Sequence, residues 1–249
     1  MESKLKYYLQ IADNALILSH RLGEYSSHGP FLEEDLANTN VALDLIGIAE
    51  SILEETGRQE GLGRTGDDLA YRRSEHEFLN CLLVEQPNTD FAFIMVRQFF
   101  TDAFHFYFFS ELTKSNDEFL SAVGYKSLKE VTYHLRRSSE WMIRLGDGTA
   151  EANAKTTHAI QTLWKFTHEF FTENAIDVEM KNAGIGVDLK VVQSNWIQKI
   201  REIFYMSKLS IPENNYQYTG GKNGVHTEHL GYILAEMQFL PSKYPDAIW

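Results

Sequence analysis

The chain is poor in several features that would assign it to a class at once. It contains a single cysteine, Cys81, so no internal disulfide can form. Lysine and arginine together number 23 against 35 aspartates and glutamates, and the net charge of -12 disfavours nucleic acid or an anionic membrane as partner. The longest apolar stretches, such as Phe91 to Val96, are far shorter than the ~20 residues that cross a bilayer. With no export signal at the N-terminus, we expect a cytoplasmic protein.

Proline is also scarce, with five residues in 249, and helical periodicity dominates what remains. The pattern and its turn sequences predict helices at residues 4–25, 33–58, 67–84, 89–114, 117–145, 150–174, 189–210 and 225–241. Long helices joined by brief turns are typical of a bundle. We therefore expect an all-α bundle of long antiparallel helices with additional C-terminal helices, folded as a single domain over 1–249. The best linker candidate, 174–189, contains apolar residues that predict packing on the bundle.

Pairs of side chains with metal-ligand spacing on one helical face occur at Asp102 and His105, Glu130 and His134, and His226 and His229. Such pairs are also expected by chance in a helical chain with 9 histidines and 35 acidic residues. One open interpretation is a metalloenzyme whose single metal binds to Asp102, His105, Glu130 and His134. We assign no catalytic residue, because Cys81 lies in an apolar run and no Gly-x-Ser-x-Gly motif is present.

Three peptides carry a resemblance to a known family: Leu82–Asn88, Arg144–Thr149 and Thr219–Gly231, the last followed by Leu234–Gln238. They resemble the C-subunit family of bacterial phenylacetyl-CoA epoxidases, and the likeness runs from about Tyr8 to Gln238. It implies a ferritin-like structural subunit that pairs with a homologous di-iron catalytic subunit in a monooxygenase complex of phenylacetate catabolism, a pathway of aromatic compound degradation. It also implies that a separate reductase delivers electrons from NADPH, and that this chain itself holds no cofactor.

The same resemblance carries the six iron-ligand positions of the catalytic subunit onto Ala15, Leu45, Ile48, Asp102, Val131 and His134. Only Asp102 and His134 keep ligand chemistry, whereas a di-iron centre in a bundle needs about four carboxylates and two imidazoles. The implied site is therefore degenerate and filled by aliphatic side chains, which predicts a noncatalytic subunit. Because a buried carboxylate needs a partner, we expect Asp102 to pair with His134 or His105.

Lys222, in the glycine-rich peptide Gly220–Gly224, is the candidate contact for a CoA phosphate at an interface shared with the catalytic subunit. The alternative is a surface lysine in a turn. A further alternative for the whole chain is a ferritin-like homodimer with a separate binding role.

Overall fold

The computed structural model describes residues 2–213, 216–245 and 247. This part of the chain is helical and contains no β-strand, which confirms the all-α prediction. Its α-helices are α1 (Glu2–Glu24), α2 (Leu32–Glu60), α3 (Gly66–Tyr71), α4 (Phe91–Leu112), α5 (Glu118–Gly146), α6 (Ala150–Thr167), α7 (Ala175–Asn182), α8 (Leu189–Met206), α9 (Glu228–Met237) and α10 (Phe239–Lys243).

The chain divides into two compact units. Unit 1 comprises Met1–Pro87 and Gly220–Trp249, and unit 2 comprises Asn88–Thr219. Unit 1 is therefore assembled from both ends of the chain, and unit 2 from one continuous stretch. The prediction of one domain over 1–249 stays a prediction.

Unit 1 is organised around α1 and α2, which pack against each other, with α3 on α2 and α9 on α1. The turn after α2 is fixed by Gly61, whose left-handed backbone (φ 73°) ends the helix. A capping box between Thr65 and Asp68 then starts α3.

The predicted helix 67–84 is wrong beyond Tyr71. Beyond Tyr71 the chain forms a short 3-10 helix at Glu75–Glu77 and then an irregular segment in which side chains of α1 accept hydrogen bonds from the backbone. The Asp13 carboxylate accepts from the Leu79 N–H at 2.8 Å, and the Asn14 side-chain oxygen accepts from the Cys81 N–H at 2.9 Å. Apolar periodicity suggested a helix here, but these tertiary hydrogen bonds satisfy the same backbone groups in an irregular path.

Unit 2 is organised around α4, which packs on α5, α6 and α8. Asp90, Asp117 and Thr149 cap α4, α5 and α6 through their side chains, so the predicted starts of these helices are confirmed to within two residues. The aromatic run of α4 faces other rings: Phe100 lies 5.6 Å from Trp164 and 5.9 Å from Trp196 between ring centroids. These aromatic contacts form much of the core of this unit.

The segment 174–189 packs within unit 2 as predicted, although it also contains the unpredicted helix α7. Met180 and Val187 are buried, and the Ser115 hydroxyl donates to the Ile185 carbonyl at 2.7 Å. The segment is thus a packed element with its own capping box at Asn174.

Among the described helices, α2 alone has the length and apolar composition that a membrane-crossing helix requires. Half of its most apolar window is buried inside the protein.

Candidate functional site

The six positions implied by the family resemblance fall into two sets of three, one in each unit. In unit 1, Ala15 lies on α1, and Leu45 and Ile48 lie on α2. All three side chains are at most 2% exposed. Since none has a donor atom, this half of the set offers nothing to a metal ion.

In unit 2, Asp102 lies on α4, and Val131 and His134 lie on α5. These three are at most 1% exposed. Across both units, the six positions provide one carboxylate and one imidazole, and the residues present therefore do not fit a di-iron centre. That these positions descend from a metal shell stays a prediction.

Asp102 is completely buried, and its carboxylate oxygen Oδ1 accepts a hydrogen bond from the Gln98 side-chain amide at 2.6 Å. Burial raises the pKa of the Asp102 carboxyl, because the charged form is poorly solvated there. His134, the Ser138 hydroxyl, Gln98 and Arg137 act in the opposite direction, with smaller effects. The carboxyl is thus held by an amide one turn earlier on the same helix.

The expected pairing of Asp102 with a histidine is wrong. Among the described residues, Asp102 makes neither a hydrogen bond nor an ion pair with His134 or His105, and its Oδ2 atom has no hydrogen-bond partner. His134 acts on the carboxyl only electrostatically. The Gln98 amide, one turn earlier on α4, makes the hydrogen bond to Oδ1 that a histidine was expected to make.

His105 is also buried, between the rings of Phe104 and Phe109, with centroid distances of 5.9 and 5.5 Å. Burial lowers the pKa of this histidine to about 3, and His134 adds to the effect. No group of three or more histidine, cysteine, aspartate or glutamate side chains suited to a metal occurs in the described part of the chain. Asp102, His105, Glu130 and His134 are therefore not brought together as the ligand set that the alternative interpretation needs.

A buried polar cluster of unit 1 involves Glu85, which the sequence did not single out. Its side chain is fully buried, and its Oε1 atom accepts from both the N–H and the hydroxyl of Thr227, each at 2.7 Å. Its Oε2 atom accepts from the Asn80 amide at 3.0 Å and faces Nδ1 of His226 at 2.9 Å. We call these four residues the Glu85 cluster.

His226 has an acceptor at each ring nitrogen. Its Nε2 atom lies 2.9 Å from the Phe78 carbonyl oxygen, which can only accept, while Nδ1 faces the Glu85 carboxylate. Burial lowers the pKa of His226, but the bond to Glu85 and its negative charge outweigh burial, so that the pKa is raised overall. The geometry favours an imidazolium that donates from both nitrogens. With both nitrogens engaged, His226 is not available as a metal ligand beside His229.

The glycines of the 220–224 turn allow this approach. A Cβ atom on Gly221 would lie 2.1 Å from the Asn80 carbonyl oxygen, and one on Gly224 would lie 2.3 Å from that of His76. Gly224 also has a left-handed backbone (φ 76°), which other residues adopt at a cost. Two of the three peptides that carry the resemblance, the one around Glu85 and the one around His226, are therefore partners in one contact.

Arg21 of α1 joins the same region. Its guanidinium donates to the Glu85 carbonyl at 3.0 and 2.8 Å and to the His229 carbonyl at 3.2 Å. One side chain thus links α1, the irregular 72–87 segment and the start of α9, all within unit 1.

Lys222 lies in the turn between Gly221 and Gly224 and is only 8% exposed. The alternative interpretation of a surface lysine in a turn is therefore wrong. Its role as a contact for a CoA phosphate stays a prediction.

Comparison with known proteins identifies the family. The model of a family described as "Phenylacetic acid catabolic protein" matches residues 1–249. The chain belongs to this family. The phenylacetic acid catabolic proteins have a ferritin-like helical fold, and the helices described above agree with it.

A curated member of the family is similar over its whole length. This protein, from Escherichia coli (strain K12), is named as the C subunit of 1,2-phenylacetyl-CoA epoxidase. It is 43% identical to this chain over 249 residues, which cover 100% of both sequences. The resemblance inferred from the three peptides is thereby confirmed.

Proposed function

We propose that this chain is the noncatalytic structural subunit of a phenylacetyl-CoA epoxidase in aerobic phenylacetate catabolism. It pairs with and stabilises a homologous di-iron catalytic subunit, which inserts one oxygen atom into the aromatic ring. The observation that supports this proposal most strongly is 43% identity over the full length to a protein named as the C subunit of that enzyme. The donor-poor set of six positions supports the noncatalytic part of the proposal.

In this proposal the cofactors lie outside this chain. The irons belong to the catalytic subunit, and electrons arrive from NADPH through a separate reductase. A cytoplasmic location agrees with the burial of α2, the one described helix that is apolar enough to be confused with a membrane span.

Association with a partner is supported by an apolar stripe on α2. Its exposed residues recur on one helical face and are Leu32, Leu36, Leu43 and Ile46. Leu36 and Leu43 are 54% and 59% exposed, although large aliphatic side chains are stabilised by burial. We assign this α2 stripe to the contact with the catalytic subunit.

Co-expression with the catalytic subunit tests both statements. The wild-type pair should copurify and epoxidise phenylacetyl-CoA when supplied with reductase and NADPH, whereas either subunit alone should not. The double variant Leu36→Glu/Leu43→Glu should keep its helical circular dichroism but lose the complex, because two carboxylates would have to be buried at the contact. Tyr205→Ser, which removes an exposed ring from α8, is the matched control.

The outcomes separate the two statements. The proposed function is contradicted by a wild-type chain that never binds the catalytic subunit. A wild-type complex that the double variant also forms contradicts only the α2 assignment. Stoichiometric iron, manganese or zinc that survives dialysis of the purified chain would favour a metalloenzyme instead.

Lys222 is the proposed contact for a phosphate of the CoA ester. Its burial would strengthen such a contact, because a low-dielectric environment screens the charges less. Lys222→Gln should weaken binding of phenylacetyl-CoA to the complex, and Lys126→Gln, at an exposed position of α5, should not. Unchanged affinity of the Lys222→Gln complex for phenylacetyl-CoA would contradict a phosphate contact at this lysine.

A further inference from the structure

The solvent-facing side of α5, in unit 2, carries a row of cations and tyrosines. The exposed residues of this helix recur every three or four positions, so they lie on one helical face. We define the α5 stripe by six exposed residues of this face, which are Tyr125, Lys126, Lys129, Tyr133, Arg136 and Arg144. At ~1.5 Å per residue, the stripe is about 30 Å long.

The positive charge of the α5 stripe is only partly neutralised. Glu140 is the one exposed acidic residue within its length, and it pairs with Arg136 at 3.4 Å. Lys126 and Lys129 form no ion pair with any residue in the described part of the chain. Two adjacent cations on one face of α5 are therefore available to a partner.

This local surplus of positive charge stands out in a chain whose net charge is -12. Within unit 2 the overall imbalance is small, because residues 88–219 contain 16 aspartates and glutamates against 14 lysines and arginines. The Debye length at physiological ionic strength is about 8 Å, which is much shorter than the stripe. A partner that lies along α5 is therefore attracted by the nearby cations, while distant acidic residues are largely screened.

The residue types of the stripe favour a protein as the partner. Tyrosine and arginine are enriched at protein–protein interfaces, and Tyr125 and Tyr133 are 62% and 50% exposed. A membrane-binding face needs large aliphatic or tryptophan side chains beside its cations, and the exposed face of α5 has none. A nucleic acid that extends past the stripe is repelled by the acidic chain.

From these observations we propose that the α5 stripe docks an acidic helix of another protein, whose carboxylates are one or two helical turns apart. These carboxylates pair with Lys126, Lys129 and Arg136, and the exposed tyrosine rings pack against the helix between them. Because exposed ion pairs contribute little each and are weakened by salt, the association is transient. The proposal does not depend on the epoxidase function, since it needs only residues of unit 2.

Binding of a labelled peptide to the purified full-length chain tests the surface, with fluorescence anisotropy as the readout. The probe is an alanine-based peptide of about twenty residues with one glutamate per turn, which as a helix covers the length of the stripe. The matched peptide has glutamine at each of these positions. The acidic probe should bind saturably and about tenfold more tightly than the neutral one. Its affinity should fall steeply between ionic strengths of about 0.05 M and about 0.5 M.

Lysine variants assign the contact. Lys126→Gln/Lys129→Gln should weaken binding of the acidic probe by about threefold to tenfold. The matched control is Lys114→Gln/Lys155→Gln, which removes the same charge from unit 2 but at lysines that lie outside α5 and pair with a nearby glutamate. This control should change the affinity by less than about twofold. Thermal melts should show that both double variants fold as the wild type does.

A tyrosine variant separates protein docking from simple charge attraction. Tyr133→Ser should weaken binding of the acidic probe about threefold, because it removes packing without changing charge. Tyr205→Ser, at an exposed position of α8, should bind as the wild type does. A Tyr133→Ser chain with undiminished affinity would contradict a protein interface at this face.

Three further results would overturn the proposal. The first is the absence of saturable binding of the acidic probe to the wild type, and the second is an equal loss of affinity in the two lysine double variants. The third is tighter binding of single-stranded RNA or of phosphatidylserine vesicles than of the acidic peptide, which would assign the stripe to a phosphate-bearing partner.

Discussion

The Glu85 carboxylate and the His226 ring face each other at 2.9 Å, with both side chains fully excluded from solvent. They come from the two separate segments of unit 1 and are 141 residues apart in sequence. Because the carboxylate also accepts twice from Thr227, it fixes the C-terminal peptide onto the irregular 72–87 segment. The stability of unit 1 should depend on this one acidic side chain.

Glu85→Ala should reduce the free energy of unfolding by about 3–5 kcal/mol, because it leaves a buried histidine and two Thr227 donors without an acceptor. Urea unfolding monitored by circular dichroism measures the change. Glu228→Gln, at an exposed position next to Thr227, should alter stability by less than about 0.5 kcal/mol. Equal effects of the two variants would show that the cluster does not stabilise the fold.

The pH dependence of stability should report His226. A folded-state pKa raised above the ordinary value gives a stabilisation that is complete below pH 6.5 and is lost as pH rises through the folded pKa. The difference in thermal stability between wild type and His226→Gln should therefore shrink above pH 6.5. A difference that grows with pH would mean that the ring is neutral in the folded protein.

Two buried aspartates should differ strongly in how much the same isosteric change destabilises the protein. Asp102→Asn keeps the acceptor for Gln98 and removes a negative charge that burial disfavours, so we expect less than about 1 kcal/mol of destabilisation at pH 7. Asp13→Asn removes the charge that faces the buried Arg73 guanidinium and should cost about 3–5 kcal/mol.

The pH dependence of the free energy of unfolding tests the direction of the Asp102 pKa shift. A raised pKa gives stability that is present at low pH and is lost as pH rises from the ordinary value of 3.8 through the folded value. Chemical denaturation between pH 4 and pH 7 should therefore show the wild type losing stability relative to Asp102→Asn. The opposite trend would mean that Asp102 is stabilised as an anion.

His105 should make the protein sensitive to acid. Its pKa falls from 6.5 to about 3 on folding, so the stability present above pH 6.5 is lost as pH decreases towards 3. At about 1.4 kcal/mol per pH unit, the loss at pH 5 is about 2 kcal/mol relative to His105→Phe, which cannot titrate. His158→Gln, at an exposed position of α6, is the control that should follow the wild type. Parallel pH profiles for wild type and His105→Phe would contradict the prediction.

Alanine substitutions at two glycines should have different effects on stability, because only one of the glycines is in close contact with another backbone segment. Gly224→Ala forces a Cβ atom towards the His76 carbonyl and should destabilise unit 1 by more than about 1 kcal/mol. A Cβ atom on Gly47, inside α2, has nothing within 4 Å, so Gly47→Ala should be neutral or stabilising by about 0.5–1 kcal/mol. Thermal melts of the two variants measure both effects, and a stabilising Gly224→Ala would contradict the close approach.

The long helices could be predicted from sequence because local signals agree there. Asp90, Asp117 and Thr149 cap helices whose apolar residues recur with helical period, so α4, α5 and α6 begin close to where the pattern indicates. The segment after Tyr71 could not be predicted in the same way. Its backbone hydrogen bonds go to Asp13 and Asn14, more than sixty residues earlier, and no local pattern reports such partners.

The candidate site, like the fold, could be predicted from the sequence only in part. The resemblance identified positions that are indeed buried, including Leu45 and Asp102, but it did not predict what Asp102 contacts. Helical spacing offered His105 as a neighbour, whereas the amide of Gln98 lies on the same helix at equally suitable spacing and makes the bond. Glu85 was missed because its partners come from the C-terminal peptide, although both peptides carried the resemblance.

The division of unit 1 between both ends of the chain has a consequence for synthesis on the ribosome. Residues 88–219 are contiguous, so unit 2 has all of its own chain as soon as they emerge. Unit 1 is complete only after His226 and Thr227 are translated, because both bind a carboxylate translated some 140 residues earlier. Until then the nascent polypeptide carries Glu85 without its cation, and premature termination before these residues should yield a product that proteases remove.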